Sequence, residues 1–495
     1  MVDINKVIGE LVRYSLNTNI IEKEDEAWAI GSLMQVFEVD SFERVELGEQ
    51  RALNEILADA LDYSYDVGLI KSRGVVSYDL FDTKIMGVIM PRPSEVISKF
   101  RTLYQRDPAL ATDYFYKLSV DSNYIRADRV SKDLKWKTPS EYGDIHISIN
   151  LSKPEKDPNA IALAKNLPQT DFPKCALCHE NEGFAGTLTK AARQTLRQIP
   201  FNMAGENWYL QYSPYVYYNE HCIALSAEHK PMSINRESFA KLLGFVSEFP
   251  HYFIGSNADL PIVGGSILSH DHMQGGRYVF PMELAGVKKQ IKFVGYNNIE
   301  ASIVKWPMSV IRLSGKDRDE LIELSDKIHK AWRGYTDEDA LVYAFTNGEP
   351  HNTITPIARR KGENFELDLV LRNNLTTEDH PLGLYHPHSQ HHNIKKENIG
   401  LIEVMGLAIL PARLKPEMAD LKESILSGKE IDGVHKAWFD SFKSKYNFTE
   451  ENTEDILQQE IGNTFVEVLR DAGVYKDTED GLSKFEKFID FVNNN

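Results

Sequence analysis

The spacing of apolar residues changes along this 495-residue chain, and the change limits the fold more than any other feature. Between residues 7 and 16 apolar side chains recur at helical intervals, and similar patterns continue to about residue 120. From Asp144 to Leu151 apolar and polar residues alternate strictly, which predicts a strand whose apolar face begins at Ile145. The strand should stop at Pro154, because proline cannot continue a hydrogen-bonded ladder. The chain is therefore predicted to begin with helices and to continue with sheet.

Short strands and single helices alternate after residue 205. The first block is predicted to contain an aromatic, β-rich stretch at 208–218, a strand at 222–225, a helix capped by Asn235, a strand at 252–254 and one strand from 267 to the glycine pair 275–276. A second block is predicted to contain a charged helix at 317–333, strands at 341–345 and 367–371, and a histidine-rich loop at 386–392. Residues 415–495 are helical again. This order indicates an α+β fold with a mainly antiparallel sheet, and the two blocks suggest a diverged duplication.

The charge of the chain excludes some partners. It carries 56 Lys and Arg against 73 Asp and Glu, a formal charge of −17, so nucleic acid and acidic membrane surfaces are poor candidates. The N-terminus lacks the regions of a secretory signal, and no stretch approaches about 18 uninterrupted apolar residues, so we expect a cytoplasmic protein. Neither G-x-G-x-x-G nor G-x-x-x-x-G-K-[ST] occurs, which leaves dinucleotide-binding and P-loop folds without support.

The densest chemical motif is the run from His270 to Gln274, with the sequence HDHMQ. In a strand alternate side chains share a face, so His270, His272 and Gln274 are predicted to project together while Met273 points away. An isolated H-x-H is more often a core or surface feature than a functional one. The glycine pairs at 264–265 and 275–276 favour function, because glycine lets the backbone approach a ligand closely.

Three cysteines are too few for a disulfide framework, and two of them, Cys175 and Cys178, form a C-x-x-C pair. Such a pair suits half of a zinc site, a redox pair or, since His179 follows, haem attachment. Haem attachment belongs to exported proteins, and a redox pair normally begins a helix, whereas this pair follows a turn-rich stretch. Zinc needs two further ligands, for which His229 and His270 are the candidates. A structural metal is therefore favoured, with a merely packed cysteine pair as the alternative.

The run from Asp259 to Gly276, DLPIVGGSILSHDHMQGG, resembles the signature of the second, Gram-positive-type family of galactose-1-phosphate uridylyltransferases. The resemblance extends along most of the chain, including Lys395 to Gly406. One departure is Met273, where the family usually carries an aromatic residue, but this side chain should face away from the site.

The resemblance implies a histidine-triad-like architecture. Its mainly antiparallel sheets are flanked by helices, in two related halves with helical N- and C-terminal extensions. We expect an N-terminal transferase domain at 1–285, with its helical extension over about 1–125, and a C-terminal transferase domain with a helical tail at 286–495.

The resemblance also implies a reaction, in which UMP passes from UDP-glucose to galactose 1-phosphate through a covalent uridylyl-histidine with ping-pong kinetics. In the better-known first family, the second histidine of H-P-H-G-Q is the nucleophile and the glutamine holds the phosphoryl group, which assigns these roles to His272 and Gln274. The structural zinc of that family has ligands that correspond here to Cys175, Cys178, His229 and His270. The candidates for further substrate contacts are Asn257, Gly265, Ser266 and Arg277. Because the related family forms dimers, a homodimer is expected.

A second histidine run, from His386 to Gln390, also looks like H-P-H-G-Q. Its proline and the two histidines that follow predict a loop, and neither a cysteine pair nor a glycine-rich lead precedes it, so it is rejected as the nucleophile site. Substrate binding, metal binding and solvent exposure stay open for it. The first family's second metal site uses a glutamate and three histidines, and Glu283 and His351 could fill two of those places. The strand expected to carry H-x-H there reads LDLV at 367–370, which argues against a second metal.

Three other functions fit the same motifs. A histidine-triad nucleotide hydrolase or adenylyl-type transferase would use the same covalent histidine, and the hydrolase would need no added sugar phosphate. A non-catalytic, zinc-stabilised protein would bind the sugar nucleotide without exchange. A metal-dependent hydrolase would use His270 and His272 as ligands and would lose turnover reversibly with a chelator.

Overall fold

A computed structural model describes residues 2–151, 171–265 and 267–495 of the chain. The helices of this part are α1 (Ile4–Asn17), α2 (Glu26–Phe37), α3 (Leu53–Asp66), α4 (Val75–Gly87), α5 (Pro93–Tyr104), α6 (Pro108–Asp121), α7 (Ala127–Val130), α8 (Arg236–Glu248), α9 (Pro281–Leu284), α10 (Arg318–Gly334), α11 (Leu401–Val404), α12 (Leu414–Ser427), α13 (Lys436–Phe442), α14 (Thr453–Ala472) and α15 (Glu479–Asn494). The predicted helical N-terminal and C-terminal stretches are confirmed.

The strands complete a mixed α+β fold, as predicted. They are β1 (Leu134–Ser140), β2 (Gly143–Ile149), β3 (Ile199–Met203), β4 (Glu206–Tyr212), β5 (Cys222–Ser226), β6 (Phe253–Gly255), β7 (His272–Gly276), β8 (Val287–Ile291), β9 (Glu300–Val304), β10 (Val310–Gly315), β11 (Phe345–Thr346), β12 (Glu349–Pro350), β13 (Asn352–Lys361), β14 (Asn364–Asn373) and β15 (Leu407–Leu410). A small sheet has the order β1-β2-β15, in which β15 joins β2 in parallel. β2 ends at Ile149, and the predicted stop at Pro154 lies outside the described residues.

A ten-stranded antiparallel sheet dominates the fold, with the order β3-β4-β5-β7-β6-β13-β14-β10-β9-β8. The order is mirrored about its middle. In the first half β3, β4 and β5 form a meander, α8 follows, and β6 and β7 return beside β5. In the second half β8, β9 and β10 form the meander, α10 follows, and β13 and β14 return beside β10. β6 and β13 join the halves, so the predicted duplication is visible in the strand order.

The two faces of this sheet have different surroundings. One face packs against α8, α10 and the N-terminal helices in a core that includes Met273, Ala224 and Leu367. The opposite face, called the site face below, bears His272, Gln274 and their cross-strand neighbours, and part of it contacts a second core with the C-terminal helices. Met273 therefore points away from the site, as predicted.

Local signals explain several element boundaries. The Asn235 side chain accepts a hydrogen bond from Ser238 N at 3.1 Å and so caps α8, as predicted. The strand predicted at 341–345 is wrong, because Leu341 has a left-handed φ of 56° and ends a 3₁₀ turn. The strand predicted from 267 to 276 begins only at His272. Among the helices described, none has the length and apolar character needed to span a bilayer.

Candidate active site and metal cluster

Strand β7 carries the candidate nucleophile into the interior of the sheet. It pairs with β5 on one side and β6 on the other, which places His272 opposite Leu225 and Gln274 opposite Ile223. The chain needs glycine at position 275, since a Cβ there would lie 2.5 Å from the carbonyl oxygen of Phe253. The glycine pair is therefore explained by close strand packing.

His270 does not share the face of His272, which corrects the prediction of one continuous strand. The residues before β7 are held by the loop at 229–232 instead, since Asp271 N donates to Lys230 O at 2.7 Å and Met232 N donates to Leu268 O at 2.9 Å. The His270 imidazole turns toward the C-x-x-C pair. A strand period alone could not reveal this turn, because it is imposed by a contact with a distant part of the chain.

Four side chains converge as the sequence predicts for a metal site, and each offers one ligand atom: Cys175, Cys178, His229 and His270. These atoms all lie within 4.8 Å of one another, and the described residues contain no other group of three or more such ligands that could hold an ion. The two Sγ atoms are 3.5 Å apart, and Nδ1 of His270 lies 3.3 Å from Cys175 Sγ. Nδ1 of His229 lies 3.2 Å from Cys178 Sγ. The set is suited to a metal ion.

Backbone contacts preorganise this cluster. Asn181 Nδ2 donates to the carbonyl oxygens of both Cys175 and Cys178, at 2.8 and 2.9 Å, and so fixes the turn between the cysteines. Nε2 of His270 donates to Ser226 O at 2.9 Å, which leaves Nδ1 without the proton and free to bind a metal.

The environment of His272 suits a nucleophile. Only 6% of its surface is exposed, and burial lowers the pKa of its imidazole to about 4, so the ring is neutral at pH 7. Nδ1–H donates a hydrogen bond to His270 O at 2.8 Å, so the ring's available lone pair resides on Nε2. Nε2 has no hydrogen-bond partner among the described residues. It is also absent from the set of their polar atoms that are fully enclosed and unpartnered. The geometry therefore presents an unprotonated ring nitrogen.

Gln274 lies two residues further along the same face, and a residue that the sequence reasoning missed contacts it. His221 Nε2 donates to Gln274 Oε1 at 2.9 Å, while Gln274 Nε2 makes no hydrogen bond to the described part of the chain. No sequence motif surrounds His221. The one feature that could have pointed to it is its position immediately before β5, the strand that pairs with β7.

The predicted substrate contacts lie in different places. Asn257 is buried, its Oδ1 accepts from Leu401 N at 2.9 Å, and a Cβ at Gly265 would approach its Nδ2 to 2.7 Å. Arg277 donates to Asp113 at 2.7 Å, an ion pair with the N-terminal helices. Ser266 lies outside the described residues. Asn257 and Gly265 are thus brought together, while the Arg277 guanidinium is directed at an acidic partner.

The segment at 386–392 forms no strand, and the predicted loop is confirmed. His388 Nδ1 lies 3.2 Å from an oxygen of Asp471, and Nε2 of the same ring contacts Leu384 O at 3.1 Å. His351 contacts Asn374 at 2.8 Å, and Glu283 lies 4.0 Å from Arg359. Within the described ranges these groups do not assemble into a second metal cluster.

The sequence is similar to one protein family along most of its length. Sequence models of the galactose-1-phosphate uridyl transferase N-terminal and C-terminal domains match residues 41–231 and 245–440. A galactose-1-phosphate uridylyltransferase of Clostridium acetobutylicum is 52% identical over 99% of this chain and 100% of its own length. Proteins of the same name from Streptococcus thermophilus and Bacillus subtilis are 48% and 45% identical, over 94% and 98% of this chain and 92% and 96% of theirs. Among solved structures, a yeast Ap4A phosphorylase aligns with 59% of this chain and 83% of its own, at 14% identity and a TM-score of 0.31.

Proposed function

This chain belongs to the galactose-1-phosphate uridylyltransferase family, and from that membership we propose how its residues carry out the reaction. The enzyme is a nucleotidyltransferase of galactose metabolism. It moves the uridylyl group of UDP-glucose to galactose 1-phosphate and yields UDP-galactose and glucose 1-phosphate. One observation supports His272 as the nucleophile. Its Nδ1–H donates to His270 O, which leaves the lone pair of the ring on Nε2, and Nε2 has no partner among the described residues.

In the first step, Nε2 of His272 attacks the α-phosphorus of UDP-glucose. A P–N bond forms, the bond from that phosphorus to the bridging oxygen breaks, and glucose 1-phosphate leaves with the electron pair. The imidazole becomes positively charged as it reacts. Nδ1 keeps its proton and donates a hydrogen bond to the carbonyl oxygen of His270, which stabilises that charge, so the ring does not need to turn during the reaction.

In the second step, a phosphate oxygen of galactose 1-phosphate attacks the same phosphorus. The P–N bond breaks, its electrons return to Nε2, and UDP-galactose is released. The amide N–H groups of Gln274 donate to a phosphoryl oxygen in both steps, because charge builds on that oxygen as the phosphorus is attacked. The two steps use one site, which accounts for ping-pong kinetics.

The metal that we propose for the Cys175 cluster is zinc, in a structural role. Two thiolates and two imidazole nitrogens form a common zinc donor set, and tetrahedral bonds of ordinary length place sulfur atoms about 3.8 Å apart and sulfur and nitrogen about 3.5 Å apart. The separations of 3.5 Å between Cys175 and Cys178 and 3.3 Å between Cys175 and His270 are close to these. Bound zinc would tie the C-x-x-C loop to His270, next to the nucleophile.

Three further features are proposed with this function. The boundary between the transferase domains 1–285 and 286–495 is supported by the mirrored sheet, since it falls between β7 and β8. A cytoplasmic location is supported by the free thiols of the cluster, which a reducing compartment keeps available to metal. The homodimer is tested by light scattering during gel filtration, where a mass of one chain would exclude it.

The experiment that tests the nucleophile is a search for the covalent intermediate. The protein is mixed with UDP-glucose, digested without acid and analysed by mass spectrometry for a uridylyl group on a histidine peptide. We expect the adduct on His272, and its loss when galactose 1-phosphate is added. An adduct on His388, or none at all, would contradict the proposal.

The zinc proposal has its own test, which does not depend on turnover. Elemental analysis of the native protein should find about one zinc per chain, and Cys175→Ser should lower zinc content and thermal stability together. Cys222→Ser is the control, because this buried thiol is not part of the cluster. Native protein without zinc would refute the proposal.

A further inference from the structure

His221 faces the catalytic machinery, although it does not contact the phosphorus in the proposed reaction. It precedes β5, and only 2% of its surface is exposed. Its backbone is fixed on both sides, since its N–H donates to Tyr218 O at 3.2 Å and its carbonyl accepts from Ser213 N at 2.8 Å. The ring contacts two tyrosine rings, with centroids 4.5 Å from Tyr218 and 5.5 Å from Tyr217. The imidazole is therefore held rigidly.

The hydrogen bond from His221 decides which end of the Gln274 amide faces the substrate. A neutral imidazole has one N–H, and here it is Nε2–H that donates to Oε1 of Gln274. With Oε1 occupied in this way, the NH₂ group is directed elsewhere. In the opposite orientation the amide would present its oxygen to a phosphoryl oxygen, and the two acceptors would repel each other.

The other ring nitrogen of His221, Nδ1, makes no hydrogen bond within the described part of the chain that would compete with the one to Gln274. Nδ1 is fully enclosed and has no hydrogen-bond partner among the described residues. A purely structural polar residue would normally satisfy both nitrogens, because an unpartnered buried polar atom is destabilising. The described contacts thus leave His221 with one polar side-chain interaction, and that interaction is with Gln274.

We propose that His221 is a positioning residue for uridylyl transfer: its Nε2–H holds Gln274 Oε1, so that the amide NH₂ of Gln274 is aimed at the phosphoryl oxygen. The inference rests on the proposed function, in which Gln274 is the phosphoryl donor. It adds a residue, from outside the glycine-rich run, on which the orientation of that donor depends.

The test uses kcat for UDP-galactose formation in a double-mutant cycle with the full chain. His221→Phe keeps the ring and removes the donor, and it should lower kcat about tenfold, less than the loss of a direct oxyanion donor, while KM for UDP-glucose changes by less than about threefold. In a Gln274→Ala background the same substitution should change kcat by less than about twofold, because no amide remains to be oriented. His221→Gln places an N–H near the position of Nε2 and should restore kcat to within about threefold of the native value.

Two controls separate positioning from folding. His251→Phe makes the same change at a half-buried imidazole that contacts Thr112 on the helical side, and it should leave kcat unchanged. If His221→Phe does not fold, His221→Asn replaces it, since its shorter side chain stays polar but cannot reach Gln274. It should show the same tenfold loss.

The inference is overturned if His221→Phe keeps native kcat, if it lowers kcat equally in both backgrounds, or if His221→Gln remains as impaired as His221→Phe. Failure of the proposed function is seen separately. In that case the native protein forms no UDP-galactose, or Gln274→Ala keeps native kcat, and either result also removes the donor that His221 would position.

Discussion

The two halves of the ten-stranded sheet place different chemistry at corresponding positions. A row of cross-strand neighbours runs through the joint between the halves, from Gln274 through Gly255 and Ile357 to Asp368. Gln274 lies on β7 of the first half and Asp368 on β14 of the second, at equal distances in strands from the joint. The residue beside Gln274 on β5 is Ile223, and the residue beside Asp368 on β10 is Arg312.

In the first half the polar groups of the site face are uncharged and incompletely paired. Burial lowers the pKa of both His272 and His221 to about 4, so both rings are neutral at pH 7. The amide nitrogen of Gln274 and Nε2 of His272 have no hydrogen-bond partners in the described part of the chain. These two groups are the ones that the proposed reaction needs.

In the second half the corresponding groups are ionised and bound to one another. Asp368 is fully buried and accepts from Arg312 Nε at 2.7 Å and from Arg359 at 2.8 Å, and Arg359 also contacts Glu366. Burial alone would raise the pKa of Asp368, but the two guanidinium groups outweigh it, and the pKa lies below its ordinary value. One sheet thus leaves polar groups unpaired in its first half, where the proposed reaction takes place, and joins the corresponding groups into an ion-pair network in its second half.

The largest effect should come from the nucleophile of the first half. His272→Gly removes the attacking nitrogen, and kcat for UDP-galactose formation should fall by at least about a thousandfold. The fold should survive, because His272 is not part of the metal cluster. Circular dichroism checks the fold, and activity within tenfold of native would break the comparison.

The counterpart in the second half should affect stability instead. Asp368→Asn removes one of the two carboxylates that neutralise a pair of buried guanidinium groups, and the free energy of unfolding in urea should fall by about 3 kcal/mol. For the folded protein, kcat should stay within about threefold of native. Glu363→Gln, at an exposed carboxylate that pairs with Lys316, is the control and should leave the unfolding midpoint unchanged. A large loss of kcat without loss of stability would place Asp368 in the site.

Lowering the pH should reduce the stabilisation contributed by the two halves in different pH ranges. The pKa of His221 is about 4 in the folded chain and about 6.5 when unfolded, so the unfolded chain binds more protons between these values and stability falls as the pH falls. This histidine alone should cost about 2 kcal/mol between pH 8 and pH 5, a loss that His221→Gln would not show. Asp368, with its lowered pKa, gives up its stabilisation only below about pH 4. Urea denaturation of the native protein and of His221→Gln at pH 8 and pH 5 measures this loss of stability. An equal loss in the two proteins would contradict the prediction.

The smallest effect is expected on the other face of β7. Met273 packs against the helices with 1% of its surface exposed, so Met273→Leu should lower the free energy of unfolding by about 1 kcal/mol. Its kcat should remain within about twofold of native. A larger change in kcat would mean that the two faces of β7 are not independent.

Much of this site could be predicted from the sequence, because its signals are local. Strand alternation put His272 and Gln274 on one face, and ligand chemistry gathered the four residues of the metal cluster. The first residue of β7 could not be predicted from the sequence. The residues just before it are held by a backbone hydrogen bond to Lys230 and by the contact of His270 with Cys175, and both partners are distant in sequence. His221 was missed because only the pairing of β5 with β7 brings it to Gln274.

The ion-pair network also determines which evolutionary changes remain open to the second half. A change of Asp368 to an uncharged side chain would first leave Arg312 and Arg359 buried with only one of their two carboxylate partners, Glu366. Removing either arginine first would leave a buried acid too weakly paired. Each single substitution toward an uncharged second half therefore gives a less stable protein, and selection for folding alone disfavours it. The asymmetry between the two halves would therefore persist without any benefit to catalysis.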